Sequence, residues 1–279
     1  MISIIIPVYN EETVLARCID NILKDAQPDE FEIILVCNGC IDNSQQVAES
    51  YGDKVKVFVS EPASKTIALN KGDEMAHYFP RFYLDADILI TADSIRAVAA
   101  LLNQEQILAS APKVNFDTSK ASFLVKQFYK VWQLNPYFNN MIGSGIYAIS
   151  EQGRKKFDKF PFIINDDEFL RLQFTHSEIK TAESTFKVTT PSNLDTLIKI
   201  KTRVRLGSYE LRNKYPDLVN NDKKDYMPFV YNVLAKPSVW IGAVVYAYVL
   251  LATRFAAKKR LKDMTNFVWD KDNSSRNVE

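Results

Sequence analysis

Four short apolar runs stand along the first part of the chain, at Ile2–Pro7, Phe31–Cys37, Val55–Val59 and Arg81–Leu84. Each is too short for a helix and is rich in β-branched or aromatic residues, so each predicts a buried strand. The stretches between them are amphipathic at helical spacing. Leu15, Cys18, Ile19 and Ile22 share one face of Glu12–Lys24, and further helices are expected over Asn43–Tyr51 and Ser64–Tyr78. Strand and helix in strict alternation predict right-handed crossovers and a mostly parallel sheet flanked by helices. Such sheets bind ligands beyond the carboxyl ends of their strands. Past Asp87 the rhythm changes. A helix over Ala92–Leu102, a strand near Ile107–Val114, an aromatic-rich helix containing Phe123, Phe128, Tyr129 and Trp132, a strand Gly145–Ile149 and a helix near Asp167–Phe174 are expected. A basic amphipathic helix follows from Ser192, and a loop between Lys199 and Asp225 is expected to close over a ligand.

The strand ends are polar. Pro7-Val8-Tyr9-Asn10-Glu11-Glu12 follows the first strand, Asn38-Gly39-Cys40-Ile41-Asp42 the second and Asp85-Ala86-Asp87 the fourth. Tyr9 offers either a stacking face or simple packing, and Asn38 offers an amide to the edge of a base. In an extended segment Asp85 and Asp87 face the same side, where their repulsion calls for a cation. A hard divalent ion bridging to phosphate oxygens fits them. Asp166-Asp167-Glu168 is a second acidic group, placed either to cap a helix or to accept a proton. His176, just beyond that helix, is a weaker metal candidate.

Composition narrows the picture. The 279 residues are 47% hydrophobic and 25% charged, which excludes a disordered or coiled-coil chain. A net charge of +1 provides no field to recruit nucleic acid, and none is expected as a partner. Three cysteines suit a reducing compartment, and a lone Cys37-x-x-Cys40 is weak ground for zinc or redox work. The absence of G-x-G-x-x-G after the first strand, and of G-x-x-x-x-G-K-[ST] throughout, argues against dinucleotide oxidoreductases and P-loop enzymes. The apolar start at Met1–Pro7 reads as a strand rather than a signal peptide. Sixteen uncharged residues at Ser238–Thr253, followed by Arg254, Lys258, Lys259, Arg260 and Lys262, fall short of a spanning helix. They suit an interfacial membrane helix, a core helix or the interface of a homodimer.

Taken in order, Ser3–Glu12, Ile34–Asp42, Lys65–Gly72, Tyr83–Asp87, Gly143-Ser144-Gly145 and Asp166-Asp167 resemble the inverting nucleotide-sugar glycosyltransferases of family 2. The resemblance implies a GT-A fold over 1–225, with a nucleotide-binding half at 1–90 and an acceptor half at 91–225. It leaves a helical extension over 226–265, with the membrane, core and interface alternatives given above, and a flexible tail over 266–279. It implies that Pro7, Tyr9, Glu11 and Asn38 line the base and ribose, with Asn38 where the family often has an acid. Lys65 would approach the nucleotide, Asp85 the ribose or donor, and Asp87 would carry Mg2+ or Mn2+. Gly143, Ser144 and Gly145 would let the backbone approach the sugar, Asp167 would be the catalytic base and Asp166 its supporting acid. Arg203 and Arg205, in Lys201–Gly207, stand where many processive members have Q-x-x-R-W, and would reach the pyrophosphate. The implied reaction moves a sugar from a nucleoside diphosphate, UDP-linked in the first instance, to a hydroxyl on a sugar or lipid-linked acceptor. Its setting would be the cytoplasm or the cytoplasmic face of the membrane, in polysaccharide or glycolipid assembly. A polyprenyl-phosphate acceptor, a nucleotidyltransferase and a non-catalytic sugar-nucleotide-binding protein are the rival readings.

Overall fold

A computed structural model describes residues 1–61, 63–138, 142–220 and 226–261. Its strands are β1 (Ile2–Val8), β2 (Phe31–Asn38), β3 (Lys56–Ser60), β4 (Arg81–Leu84), β5 (Ala109–Asp117), β6 (Ile146–Ile149) and β7 (Ile179–Thr189). Between β1 and β5 run α1 (Leu15–Leu23), α2 (Ser44–Glu49), α3 (Lys65–Met75) and α4 (Ala92–Leu102). Later come α5 (Phe123–Trp132), α6 (Glu151–Arg154), α7 (Asp166–Arg171), α8 (Leu194–Lys214), α9 (Pro216–Asn220), α10 (Met227–Leu234) and α11 (Trp240–Leu261).

The seven strands form one sheet in the order β3-β2-β1-β4-β6-β5-β7. β1, β2, β3 and β4 are parallel, with Ile4 opposite Ile33 and Phe82, while β6 runs antiparallel to β4 and β5. This is the mixed, mostly parallel arrangement expected. Ile4, Ile5, Ile6, Ile34 and Leu35 are all completely buried. Both faces of a parallel sheet are covered by crossover helices, so its central strands are continuous apolar runs. Strand order reverses direction at β1, where β2 lies on one side and β4 on the other, and a crevice opens at such a switch.

Two compact units are present. The first comprises Met1–Asn115, Asn140–Phe162 and Asp166–Val188; the second comprises Phe116–Asn139, Ile163–Asn165 and Thr189–Glu279. In the first, buried Asp73 of α3 ties three elements together. It accepts from Arg81 Nη1 (2.7 Å) and Tyr83 Oη (2.6 Å) of β4, and from Arg154 Nε (2.6 Å) of α6. This network fixes the direction of α3, and with it the residue at its start, Lys65. The second unit has its own core, in which Val125, Phe128 and Tyr129 of α5 pack with Leu197 of α8 and Val249 of α11.

Three local expectations change. Lys199–Lys214 is not a closing loop but most of the helix α8, and Pro216–Asn220 is helical as well. Asp85-Ala86-Asp87 is not extended. The Ile88 N–H donates to the Asp85 carbonyl at 3.1 Å, so the segment is a turn and the same-side rule for alternate residues does not apply. β7 is an additional strand at the sheet edge. The stretch 221–225, the end of the expected extension and the expected tail lie outside the described residues.

Candidate active site

The carboxyl ends of β1, β2 and β4 carry the expected polar loops, laced together. Beyond β1, the Glu11 N–H donates to Ser44 Oγ (2.6 Å), and Ser44 Oγ donates to Asp42 Oδ1 (2.6 Å). Asn10, with φ of 53°, accepts from the Ile41 N–H at 2.8 Å. Pro7 is buried, Glu11 is buried and Tyr9 is half-buried at this edge. Asn38 has a different task from the one its position suggested. It is 2% exposed, its Nδ2 donates to the Val8 carbonyl (2.9 Å) and its Oδ1 accepts from the Ser64 N–H (2.8 Å). Its amide therefore pins the end of β1 to the start of α3 and does not offer its edge to a ligand.

Lys65 opens α3, where a cation opposes the helix dipole. The compensation is direct. Its ammonium lies 2.7 Å from Asp85 Oδ1 and 3.2 Å from Asp166 Oδ1. Burial works against this charge, but Asp166, then Asp85 and Asp167, override it and hold the lysine protonated well above its ordinary range. The cation beside Asp85 is thus a side chain. Asp166 is buried and accepts from Tyr147 Oη at 3.0 Å, so its carboxylate faces Lys65 and β6 rather than capping α7.

Asp167 stands one residue further, half-buried in the first turn of α7. Its Oδ1 accepts from the Glu168 N–H (2.8 Å), and its Oδ2 lies 3.4 Å from the Ser144 N–H. Burial, followed by the adjacent Asp166 charge, pushes its pKa up to about 6, with Lys65 pulling the other way. Gly143-Ser144-Gly145 forms a tight turn between the two acidic groups. All three have positive φ, at 119°, 60° and 97°. A Cβ on Gly143 would stand 2.7 Å from Asp167 Oδ2, and one on Gly145 would stand 2.7 Å from Ile88 Cδ1 and 3.4 Å from Asp85 Oδ2. The Gly145 carbonyl in turn accepts from the Asp85 N–H at 2.8 Å. One connected cluster therefore runs from Asp85 through Lys65 to Asp166, and from Asp85 through the glycine turn to Asp167.

Asp87 lies two residues past Asp85, in the turn that follows β4. The buried Cys18 thiol of α1 is pushed up by burial and then by the charges of Asp87, Asp85 and Glu11. No cluster of three or more His, Cys, Asp or Glu side chains able to hold a metal stands among the described residues. The oxygen donors at Asp85 and Asp87 fit a hard cation that takes one or two carboxylates and completes its shell from phosphate and water. His176 is exposed in a turn before β7 and joins no such cluster among the described residues. Arg203 and Arg205 lie on α8 of the second unit, both half-buried. Two participants were not legible in the sequence. Tyr147 has no motif around it, and the bridging task of Lys65 depends on partners far along the chain.

Known proteins resemble the chain in sequence and in fold. The family model described as Glycosyl transferase family 2 matches residues 3–164. An uncharacterized glycosyltransferase EpsJ of Bacillus subtilis is 29% identical over 110 residues, which is 38% of this chain and 32% of that protein. The minor teichoic acid biosynthesis protein GgaA of the same organism is 30% identical over 35% of this chain and 24% of its own length. These matches thus span a third or less of the length of those relatives. Among solved structures, the mannosyltransferase PcManGT from Pyrobaculum calidifontis, in complex with GDP-Man and Mn2+, aligns with a TM-score of 0.62 at 17% identity. The alignment covers 96% of this chain and 76% of that one. Glucosyl-3-phosphoglycerate synthase from Mycobacterium tuberculosis, with Mn2+, UDP-Glc and phosphoglyceric acid, aligns with a TM-score of 0.55 at 18% identity, covering 76% and 79%. With a family match over more than half its length and a mixed sheet whose acidic loops gather at the strand ends, the chain belongs to glycosyl transferase family 2.

Proposed function

We propose that the protein is a metal-dependent, inverting glycosyltransferase. Its donor is a nucleoside-diphosphate sugar, UDP-linked in the first instance, and its acceptor is a hydroxyl on a sugar or lipid-linked glycan of the cell surface. The observation that carries this reading is the connected cluster of Asp85, Lys65, Asp166, Asp167 and the Gly143–Gly145 turn at the sheet's carboxyl edge. Pro7, Tyr9 and Glu11 form the nucleotide side of the site, with Asn38 bracing their loop from behind. A divalent cation, Mg2+ or Mn2+, held by Asp87 would offset the charge that develops on the departing diphosphate.

Each remaining task falls to a side chain or backbone group of the protein. Asp85 faces the donor with its outer oxygen while Lys65 holds its inner one. The bare Gly143-Ser144-Gly145 backbone leaves room for the transferred sugar beside Asp167. A carboxylate whose pKa is about 6 is ionised at neutral pH yet basic enough to accept a proton from the attacking hydroxyl. Asp166 sustains that basicity through its negative charge, and Lys65 keeps the two adjacent carboxylates from becoming mutually prohibitive. Attack from the face opposite the leaving group inverts the anomeric centre.

The test is turnover of a panel of nucleotide sugars with Mn2+ and simple sugar acceptors, followed by NMR of the anomeric proton. Release of nucleoside diphosphate with an inverted product is expected. Release of pyrophosphate, or retention of configuration, would overturn the reading.

A further inference from the structure

The helix α11 has two faces that differ in kind. Gly242, Val249, Thr253 and Ala257 are buried and recur as one stripe. That stripe lies against α5 and α8 of the same unit. The packing is close, since a Cβ on Gly242 would stand 2.5 Å from the Gln127 carbonyl, and the neighbouring Tyr246 ring stacks on Phe128 at 5.4 Å. The other face carries Ile241, Val244, Tyr248, Leu251 and Phe255, between 54% and 75% exposed. At about 100° per residue this second stripe is centred roughly opposite the first. Isolated exposed apolar residues are ordinary, but a continuous stripe along a helix marks a surface that meets something.

Pro237–Leu261 is long and apolar enough to cross a membrane by length and composition. The buried stripe nevertheless extends from Gly242 to Ala257, so the helix cannot be surrounded by lipid along that length. It can only lie with its outer face against an apolar surface. Charge identifies which. Over residues 226–261 there are five basic side chains (Lys236, Arg254, Lys258, Lys259 and Arg260) and no acidic one. Projected around the helix, Lys258 and Lys259 fall within about 60° of the centre of the exposed stripe and continue it. A second copy of this segment would bring no carboxylate to meet them, whereas lipid phosphates would. Trp240 and Tyr248, 54% and 56% exposed, have the amphipathic rings that settle at headgroup depth.

We propose that the outer face of α11 is a docking surface for an anionic phospholipid bilayer, with the helix lying in the plane of the interface and Lys258 and Lys259 on the headgroups. The proposal stands on this helix alone, independently of the transfer reaction.

Co-sedimentation of the full chain with vesicles tests it. Vesicles of phosphatidylcholine with roughly 30% phosphatidylglycerol are expected to bind at least about tenfold more tightly than phosphatidylcholine alone, and less tightly as salt is raised. Val244→Asp with Phe255→Asp, at positions 72% and 75% exposed, should weaken binding at least about tenfold without moving the thermal midpoint. Lys258→Glu with Lys259→Glu should reduce binding to the phosphatidylcholine level. The proposal is overturned if the wild type sediments with neither vesicle, or if both double variants bind like the wild type. It is equally overturned if light scattering shows a dimer that Val244→Asp dissociates while no vesicle binds.

Discussion

Replacing Lys65 by Met keeps the length of the side chain and removes the charge that Asp85, Asp166 and Asp167 share. Deleting one member of a buried ion pair costs about 3–5 kcal/mol. The Lys65 and Asp166 side chains are 20% and 4% exposed, but Asp85 is 37% exposed. Solvent screening at Asp85 lowers the expected cost to roughly 2–4 kcal/mol. The pH dependence has a definite sign. The folded-state pKa of Asp167 is raised to about 6, so the folded chain binds that proton more tightly than the unfolded chain. Its contribution to stability therefore declines as pH rises from the unfolded value, about 4, through the folded one. Lys65 opposes that elevation, so in the variant the Asp167 pKa climbs further and the declining window extends to higher pH. Urea denaturation should show a larger deficit for Lys65→Met at about pH 7.5 than at about pH 5. The acid limb of kcat/KM should move upward from its wild-type position near the Asp167 value. A variant with an unmoved acid limb and an equal deficit at both pH values would refute the shared-charge argument.

Other consequences follow from the same geometry. Gly143→Ala would place a methyl group 2.7 Å from Asp167 Oδ2 at a φ of 119°. A loss of about 1–3 kcal/mol in stability and a larger fall in kcat than in donor affinity are expected, read by denaturation and steady-state kinetics. Asp73→Asn would leave Arg81 and Arg154 facing an amide, costing about 3–5 kcal/mol, and the denaturation midpoint should fall accordingly. Chelation of divalent cations should abolish transfer, with recovery on adding Mn2+ or Mg2+, and nucleotide binding by calorimetry should weaken in parallel.

The fold was largely legible because a parallel sheet is written in unbroken apolar runs. β1, β2 and β4 lie within a residue of where those runs stop. β7 left no such mark. Its buried residues Ile179, Ala182 and Phe186 recur at spacings of three and four, a helical rhythm carried by an irregular edge strand. The start of α8 was legible as the basic helix expected from Ser192, but its continuation past Lys199 was obscured, since its buried set there includes Thr202, Gly207 and Glu210 among many charges. At the site, the carboxylates were legible because chemistry gathers after strands. Their relations were not. Nothing local says that Lys65 joins Asp85 to Asp166, that Tyr147 donates to Asp166, or that the Asn38 amide is engaged inside the protein. Those are long-range contacts, and a turn at Asp85 rather than a strand altered where its neighbour points.

In the proposed mechanism Asp167 removes the acceptor proton. Asp167→Asn preserves the size of the side chain and its acceptor oxygen while abolishing its basicity. Pre-steady-state transfer to a hydroxyl acceptor should fall by about 100- to 10,000-fold, the range of a lost general base, while calorimetric affinity for the nucleotide-sugar donor stays within about threefold. Transfer at the wild-type rate by the folded variant, with the same donor affinity, would contradict the account.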